Sequence, residues 1–402
     1  MPQSEQTSQL VTEVLPKTFD DMPLNRLLLR GVYSHGFERP SPIQQQTIVP
    51  ITRGGDVLGQ APSGTGKTGA FAIGLLQRMD MRRGGSETQG LVLSPTRELV
   101  EQTYEVITQI GQYAADGQAF AALLVGGQRT EQNIQRIKEG GVVVAVGTPG
   151  RVAELVRRGA LRAGGIKCVV LDEADELLSQ GFAEQLHEIF RYLPKDVQIV
   201  LFSATMPAEI LQLTHRLMRN PTRVLLEPEQ LTLSGIKQFF VAVEEDHKLG
   251  TILDLYETIS IAQAVIFAST RRTVEWIGRQ LAERGYSVGT MHAETERAER
   301  SNVMKSFKRG ATRVLVSSDL TSRGIDVQHV NIVINFDLPL NAESYLHRIG
   351  RSGRYGRKGV AINLVSNRDV PALRAVEAHY QTHVEELPQN FTDYLGDGAN
   401  SA

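Results

Sequence analysis

A lysine and a hydroxyl at the end of a glycine-rich run are the groups in this sequence best suited to grip a phosphate chain. They stand in Ala61-Pro62-Ser63-Gly64-Thr65-Gly66-Lys67-Thr68, between a strand-like stretch at 56–59 and a helical stretch from Gly69. Glycines let backbone N–H groups close around phosphate oxygens, and a helix start adds positive potential. Lys67 can then reach the β- and γ-phosphates, and the Thr68 hydroxyl can hold Mg²⁺. Alanine at position 61 replaces the first glycine of the general pattern. The plainer alternative is a glycine-rich turn carrying an exposed lysine.

A phosphate loop needs a second metal-holding carboxylate at a strand end. Val169-Val170-Leu171-Asp172-Glu173-Ala174-Asp175 supplies one. Asp172 would enter the magnesium shell, while Glu173 would orient or deprotonate the attacking water. Taken alone, the same residues also suit an acidic helix start facing the helix dipole. A third element runs from Tyr345 to Lys358 and holds five Arg/Lys and no acid. Its arginines could stabilise charge on a γ-phosphate held by the first half. A solvated basic loop for nucleic-acid phosphates is the alternative.

The elements that must position these groups follow a repeating pattern. Short β-branched runs at 90–94, 123–125, 142–146, 167–171 and 197–202 alternate with helix-like stretches such as 183–192. Such alternation implies an α/β fold with a parallel sheet covered on both faces. The pattern pauses at 227–235 and restarts with runs at 239–243, 264–267, 288–291, 313–316, 332–335 and 360–365. The expected organisation is a flexible tail at 1–16, a first unit at 17–226, a linker at 227–235, a second unit at 236–396 and a tail at 397–402. Thr96-Arg97 and Thr270-Arg271 each stand just past a strand, where ligands of parallel sheets collect. Either one ligand bridges both halves or the match is a coincidence of short motifs.

Composition sets outer bounds. The 402 residues, 41% hydrophobic and 22% charged, suit a soluble globular protein of about two or three domains. No apolar run approaches membrane-spanning length, and the first residues lack a signal-peptide pattern. The one cysteine, Cys168, excludes an internal disulfide, suits a reducing compartment and reads as core packing beside an apolar strand. A net charge of −2 does not advertise a nucleic-acid binder, so any such site must be a local patch. Aromatics at 6% argue against base-stacking platforms as a main source of affinity.

Asp172-Glu173-Ala174-Asp175 resembles the name-giving motif of the DEAD-box RNA helicases, and companion motifs stand in order around it. They are Gly36-Phe37-Glu38-Arg39-Pro40-Ser41-Pro42-Ile43-Gln44, the phosphate loop, Pro95-Thr96-Arg97-Glu98-Leu99, Gly126-Gly127 and Thr148-Pro149-Gly150-Arg151. Ser203-Ala204-Thr205, Ser322-Arg323-Gly324-Ile325-Asp326 and His347 to Arg354 complete the set. The resemblance covers about residues 17–395, nearly the whole chain. Within the family, Gly235-Ile236-Lys237-Gln238-Phe239-Phe240, Asp254-Leu255-Tyr256-Glu257-Thr258 and Gly356-Arg357-Lys358-Gly359-Val360 look like the eukaryotic initiation factor 4A subgroup. That subgroup includes the translation-initiation helicase and its nuclear exon-junction-complex relative.

The resemblance implies two tandem RecA-like, P-loop NTPase domains that bind Mg-ATP between them and clamp single-stranded or short duplex RNA. It places an adenine-reading motif at 17–45, with Gln44 on the adenine edge and Phe19 stacked on the base. Asp326 would meet the ribose, and Arg351 and Arg354 would act as fingers. Ser203 and Thr205 would relay nucleotide state to the RNA side. RNA contacts would come from Thr96, Arg97, Gly127, Thr148 and Arg151 in the first half and from Thr270, Arg272, Arg300 and Ser318 in the second. Such groups suit phosphate and sugar, which position a strand without reading it. Ser63, Ala268-Ser269, Ser317-Ser318 and Arg297 depart from the family's usual residues; Arg297 adds a charge beside the expected RNA path. Expected activities are local opening of short duplexes or an ATP-locked clamp held by partners, with DNA translocation a third reading. Partners of a translation-initiation or exon-junction complex, and a cytoplasmic or alternatively nuclear location, are further implications.

Overall fold

The computed structural model describes residues 15–61, 64–81, 87–127, 129–179, 181–226, 236–258, 263–319, 330–339, 341–350, 359–380, 382–388 and 390–394, without the side chains of 297, 343, 392 and 393. The expected linker, both expected chain-end tails apart from residues 15 and 16, Pro62, Ser63, Asp326, Arg351 and Arg354 lie outside that set.

The described residues form two seven-stranded sheets in which every pair is parallel. The first contains β1 (Val57–Gln60), β2 (Gly90–Leu93), β3 (Ala121–Leu124), β4 (Val144–Gly147), β5 (Cys168–Leu171), β6 (Gln198–Ser203) and β7 (Thr222–Leu225). Its order is β3-β4-β2-β5-β6-β1-β7. The second contains β8 (Ile236–Ala242), β9 (Ala264–Phe267), β10 (Val288–Met291), β11 (Val314–Ser317), β12 (Ile332–Asn335), β13 (Gly359–Val365) and β14 (Glu385–Glu386). Its order, β10-β11-β9-β12-β13-β8-β14, repeats the first position by position.

Interior strands such as β2, β4, β5 and β9 are buried along their whole length because both faces of their sheets are covered. Side chains alternate across a strand, so Val92, Val170 and Val200 enter one core while Leu91, Leu93, Val169, Leu171 and Leu201 enter the other. The second sheet divides likewise, with Ile266, Val316 and Ile334 on one side and Val265, Leu315 and Val333 on the other. Cys168 is wholly buried, and burial pushes its thiol up to about 12, so it packs rather than reacts.

Expected and observed strands agree closely in the interiors of the sheets. The edge strands β7 and β14 were not expected. β7 buries one residue in four, and β14 is a Glu-Glu pair, so neither carries an apolar signature. β8 begins three residues before the expected run, at Ile236.

Candidate active site

Chain direction brings the C-terminal ends of the first sheet's strands to one rim, and the motifs sit there. After β1 comes the phosphate loop, with Gly64 at φ +82° and Gly66 at φ +98°. A side chain at 66 would be strained by that φ and would push the Gln44 amide, 2.7 Å from an added Cβ, off its place. Gly66 caps the helix Lys67–Arg78, which aims the positive helix end into the loop.

Lys67 is buried and its Nζ lies 3.2 Å from Glu173 Oε2. Asp172 and Glu173 follow β5, where Glu173 adopts a left-handed φ of +48°, a strained setting for a side-chain-bearing residue. Asp172 is buried, and burial followed by the neighbouring Glu173 charge pushes its carboxyl up to about 7, against the pull of Lys67. Its hydroxyl neighbour, Ser94 Oγ, donates over a long 3.4 Å. A cation beside this carboxyl would restore its charge, so the donor set suits Mg²⁺. Among the described residues no cluster of three His, Cys, Asp or Glu could hold a metal. Magnesium needs no such cage, because phosphates and waters fill most of its shell.

Gln44 sits over this loop. The helix Pro42–Arg53 starts with a capping box in which Gln44 Oε1 accepts from the Ser41 N–H at 2.9 Å. Its Nε2 donates to the Gly66 carbonyl at 3.1 Å, tying the motif to the phosphate loop. Phe19 packs inward. It is completely buried between Tyr33 and Phe37, so it offers no face to a base in this conformation. Phe37 is only half-buried and reaches Gly69, where an added Cβ would meet its ring at 2.8 Å. It belongs to the same Gly-Phe motif as Gln44, which was the signal available for it.

Ser203 and Thr205 converge on a residue given no role from the sequence. The Asp175 N–H donates to Ser203 Oγ at 3.2 Å, and both the N–H and the hydroxyl of Thr205 donate to Asp175 Oδ2, at 3.0 and 2.7 Å. Burial opposes the charged form of Asp175, yet the His347 contact and the Thr205 bond outweigh it and hold the carboxyl below its usual range. His347 belongs to the second unit, 3.8 Å from Asp175 Oδ2. A cavity of about 440 Å³ beside them is lined by Asp175, Thr205 and Glu209 from one side and Asn341 and His347 from the other.

Of the basic cluster, the described residues include Arg348. Arg348 is fully buried, bonded to both carboxylate oxygens of Asp319 and to the Asp337 carbonyl, so it braces the second unit.

The residues expected to contact RNA lie along the same rims but differ in availability. Thr96 caps the helix Arg97–Gly111, its hydroxyl accepting from Leu99 N at 3.3 Å, and Thr270 caps Arg271–Ala282 through Thr273 N at 3.1 Å. Arg97 pairs with Glu101 at 2.6 Å. Arg151 is buried against Asn133 and Glu154. Gly127 is exposed at φ +82°, Thr148 is half-buried, Arg272 is exposed and Ser318 is buried. Arg300 crosses between the units to Glu98 at 3.3 Å.

Comparison with known proteins agrees with this geometry. The model of the DEAD/DEAH box helicase family matches residues 41–213, and that of the helicase conserved C-terminal domain matches 247–356. The chain is 33% identical to a Saccharomyces cerevisiae Dbp5 bound to RNA and ADP BeF3, with a TM-score of 0.84 over 94% of this chain and 97% of that one. It is a DEAD-box, ATP-dependent RNA helicase built from two RecA-like domains. More narrowly, the chain belongs to the eukaryotic initiation factor 4A family. It is 61% identical over 381 residues, 94% of each chain, to a probable eukaryotic initiation factor 4A of Trypanosoma cruzi. With an ATP-dependent RNA helicase eIF4A of Neosartorya fischeri the identity is 50% over 379 residues, again 94% of each.

Proposed function

We propose that this helicase opens short RNA duplexes and remodels RNA–protein complexes during translation initiation, in the cytoplasm, by coupling ATP hydrolysis to closure of its two units. The pathway and the company of translation-initiation proteins are inferred from the names of its relatives. The observation that carries the coupling is Asp175, which holds Ser203 and Thr205 of the first unit and faces His347 of the second. Asp172 and Glu173 are thereby three and two residues from a group that faces the other half.

In this reading, residues 17–226 and 236–396 are the two working units, joined by 227–235. Gln44 reads the adenine edge and Phe19 stacks on the base, its ring leaving the packing against Tyr33 and Phe37. Lys67 and the loop Ala61 to Thr68 hold the phosphates, with the backbone N–H groups from Gly64 onward as donors. Bound Mg²⁺, held by Thr68 and Asp172, would neutralise charge on the phosphate oxygens. Glu173 leaves Lys67 when phosphate arrives and positions the water. Asp326 takes the ribose, and Arg351 and Arg354 are the fingers. RNA lies along Thr96, Arg97, Gly127, Thr148 and Arg151 and then Thr270, Arg272, Arg300 and Ser318, gripped by phosphate and sugar. For Arg300 this means exchanging Glu98 for a phosphate.

The test is RNA-stimulated ATPase of Asp175→Asn and His347→Ala beside RNA-free ATPase and strand separation. Stimulation and separation should fall together by about five- to 150-fold, the usual span of a coupling energy, with RNA-free turnover much less affected. Unchanged stimulation in both variants would remove Asp175 from the relay.

A further inference from the structure

Trp276 is the sequence's single tryptophan, and it is 42% exposed. It lies on the helix Arg271–Ala282, one turn beyond Arg272. Phe336 meets its ring at 6.3 Å and 69°, an edge contact that pins the indole against the end of β12. The Lys248 ammonium lies 5.6 Å from the Phe336 ring centre, so the supporting ring is itself fixed from the core. Arg272 and Arg279, at four residues before and three after, are exposed on the same strip of the helix. Of the neighbouring acids, Glu275 pairs with Arg271 and His292 and also feels the Arg279 charge, and Glu283 accepts from Gln280.

A solitary exposed apolar ring on a surface is ordinary. A pinned indole between two exposed guanidinium groups is a different object, because π-faces stack on any base while the flanking cations take its phosphates. We propose that Trp276 is a stacking platform for a base of the RNA that extends past the clamped stretch, with Arg272 and Arg279 on the adjoining phosphates. This rests on the assignment of the Thr270–Arg272 end of the helix to RNA. It adds a sequence-tolerant contact that the low aromatic content argues against, and it makes affinity depend on RNA length.

The single tryptophan makes its own probe. The full chain, with a non-hydrolysable ATP analogue, is titrated with a short oligouridine of about six nucleotides and with versions lengthened at either end. The short strand should bind without quenching the indole, and one of the lengthened strands should quench it. Trp276→Ala and Trp276→Leu should weaken that longer strand about five- to hundredfold and leave the short one unchanged. An oligomer whose extension lacks bases should show the same loss on the unaltered protein, a result independent of whether the variants fold. Equal binding of based and abasic extensions, or no quenching by any bound strand, overturns the platform and leaves this surface to a protein partner. Equal loss for short and long strands also overturns it, making the ring a structural support. If the unaltered chain binds no oligomer at all, the RNA assignment of Thr270 and Arg272 fails first.

Discussion

Lys67 and Lys248 occupy equivalent places in the two sheets. Each is the first residue of the long helix after the strand second from one edge, β1 beside β7 and β8 beside β14. Their surroundings differ. Lys67 follows a loop of glycines and has one carboxylate, Glu173, at 3.2 Å. Lys248 follows the tight turn Glu245–His247 and is held by Asp369 at 2.8 Å, Glu245 at 2.9 Å and the Phe336 carbonyl at 3.0 Å. A buried ammonium must be paired. In the first unit the partner can be exchanged for a phosphate, and the glycines leave backbone N–H groups to receive it. In the second unit internal carboxylates fill that role permanently, so the same position became part of the core.

The contrast can be broken at several points. The largest effect is expected where the second unit serves the first. Arg351→Ala should cut RNA-stimulated turnover by about 10³ to 10⁵, the worth of an arginine finger, in steady-state ATPase assays. A loss below tenfold would mean that the first unit completes its own site. Glu173→Gln should lower turnover by about 10² to 10⁴ while nucleotide binding persists, because the phosphate contacts remain. Equilibrium binding and single-turnover hydrolysis separate the two, and turnover within threefold of the unaltered enzyme would reject Glu173 as the water-positioning group.

Lys248→Met should leave nucleotide affinity unchanged yet destabilise the second unit by about 3–5 kcal/mol, since it leaves buried carboxylates without their cation. Urea unfolding followed beside nucleotide binding tests both halves of the statement. Loss of nucleotide binding in the folded variant would show Lys248 to be a working relative of Lys67. The smallest effect is one of pH. Burial raises the Asp369 carboxyl, but bonds from Lys248 and Ser366 outweigh it and hold it below the ordinary 3.8. Its folded form is therefore the weaker proton binder. The stabilisation is complete above the ordinary value and fades as pH falls through the lowered one. As pH falls below about 4, the unaltered chain should lose stability faster than Asp369→Asn; parallel slopes would remove the ion pair from the acid response.

Much of this was legible in the sequence for physical reasons. Interior strands such as 168–171 and 264–267 are buried on both faces and so are written as unbroken apolar runs. The glycines of the phosphate loop announce backbone shapes that other residues avoid. What stayed hidden depends on neighbours in space. Nothing in Phe19 and Phe37 as residue types says which ring the core encloses. The left-handed turn at Glu173 is imposed by the chain on either side, and Asp175 acquires its role only when Thr205 and His347 fold against it. Arg348 sits within a basic run whose charge suggests solvent, yet Asp319 draws it inside.

The position of β1 also governs how such a chain can come off a ribosome. Residues 57–60 are made early, but they lie between β6 at 198–203 and β7 at 222–225. The first sheet cannot close around its phosphate loop until those late strands have emerged, and parallel pairing of distant strands is slow in any case. Synthesis at about 5–20 residues per second leaves the Gly-rich segment waiting for many seconds. The last strand needed is finished just before residues 227–235, so the nucleotide-gripping half can be complete before the first strand of the other half is made. Each nascent domain then meets a neighbour that has either folded already or does not yet exist.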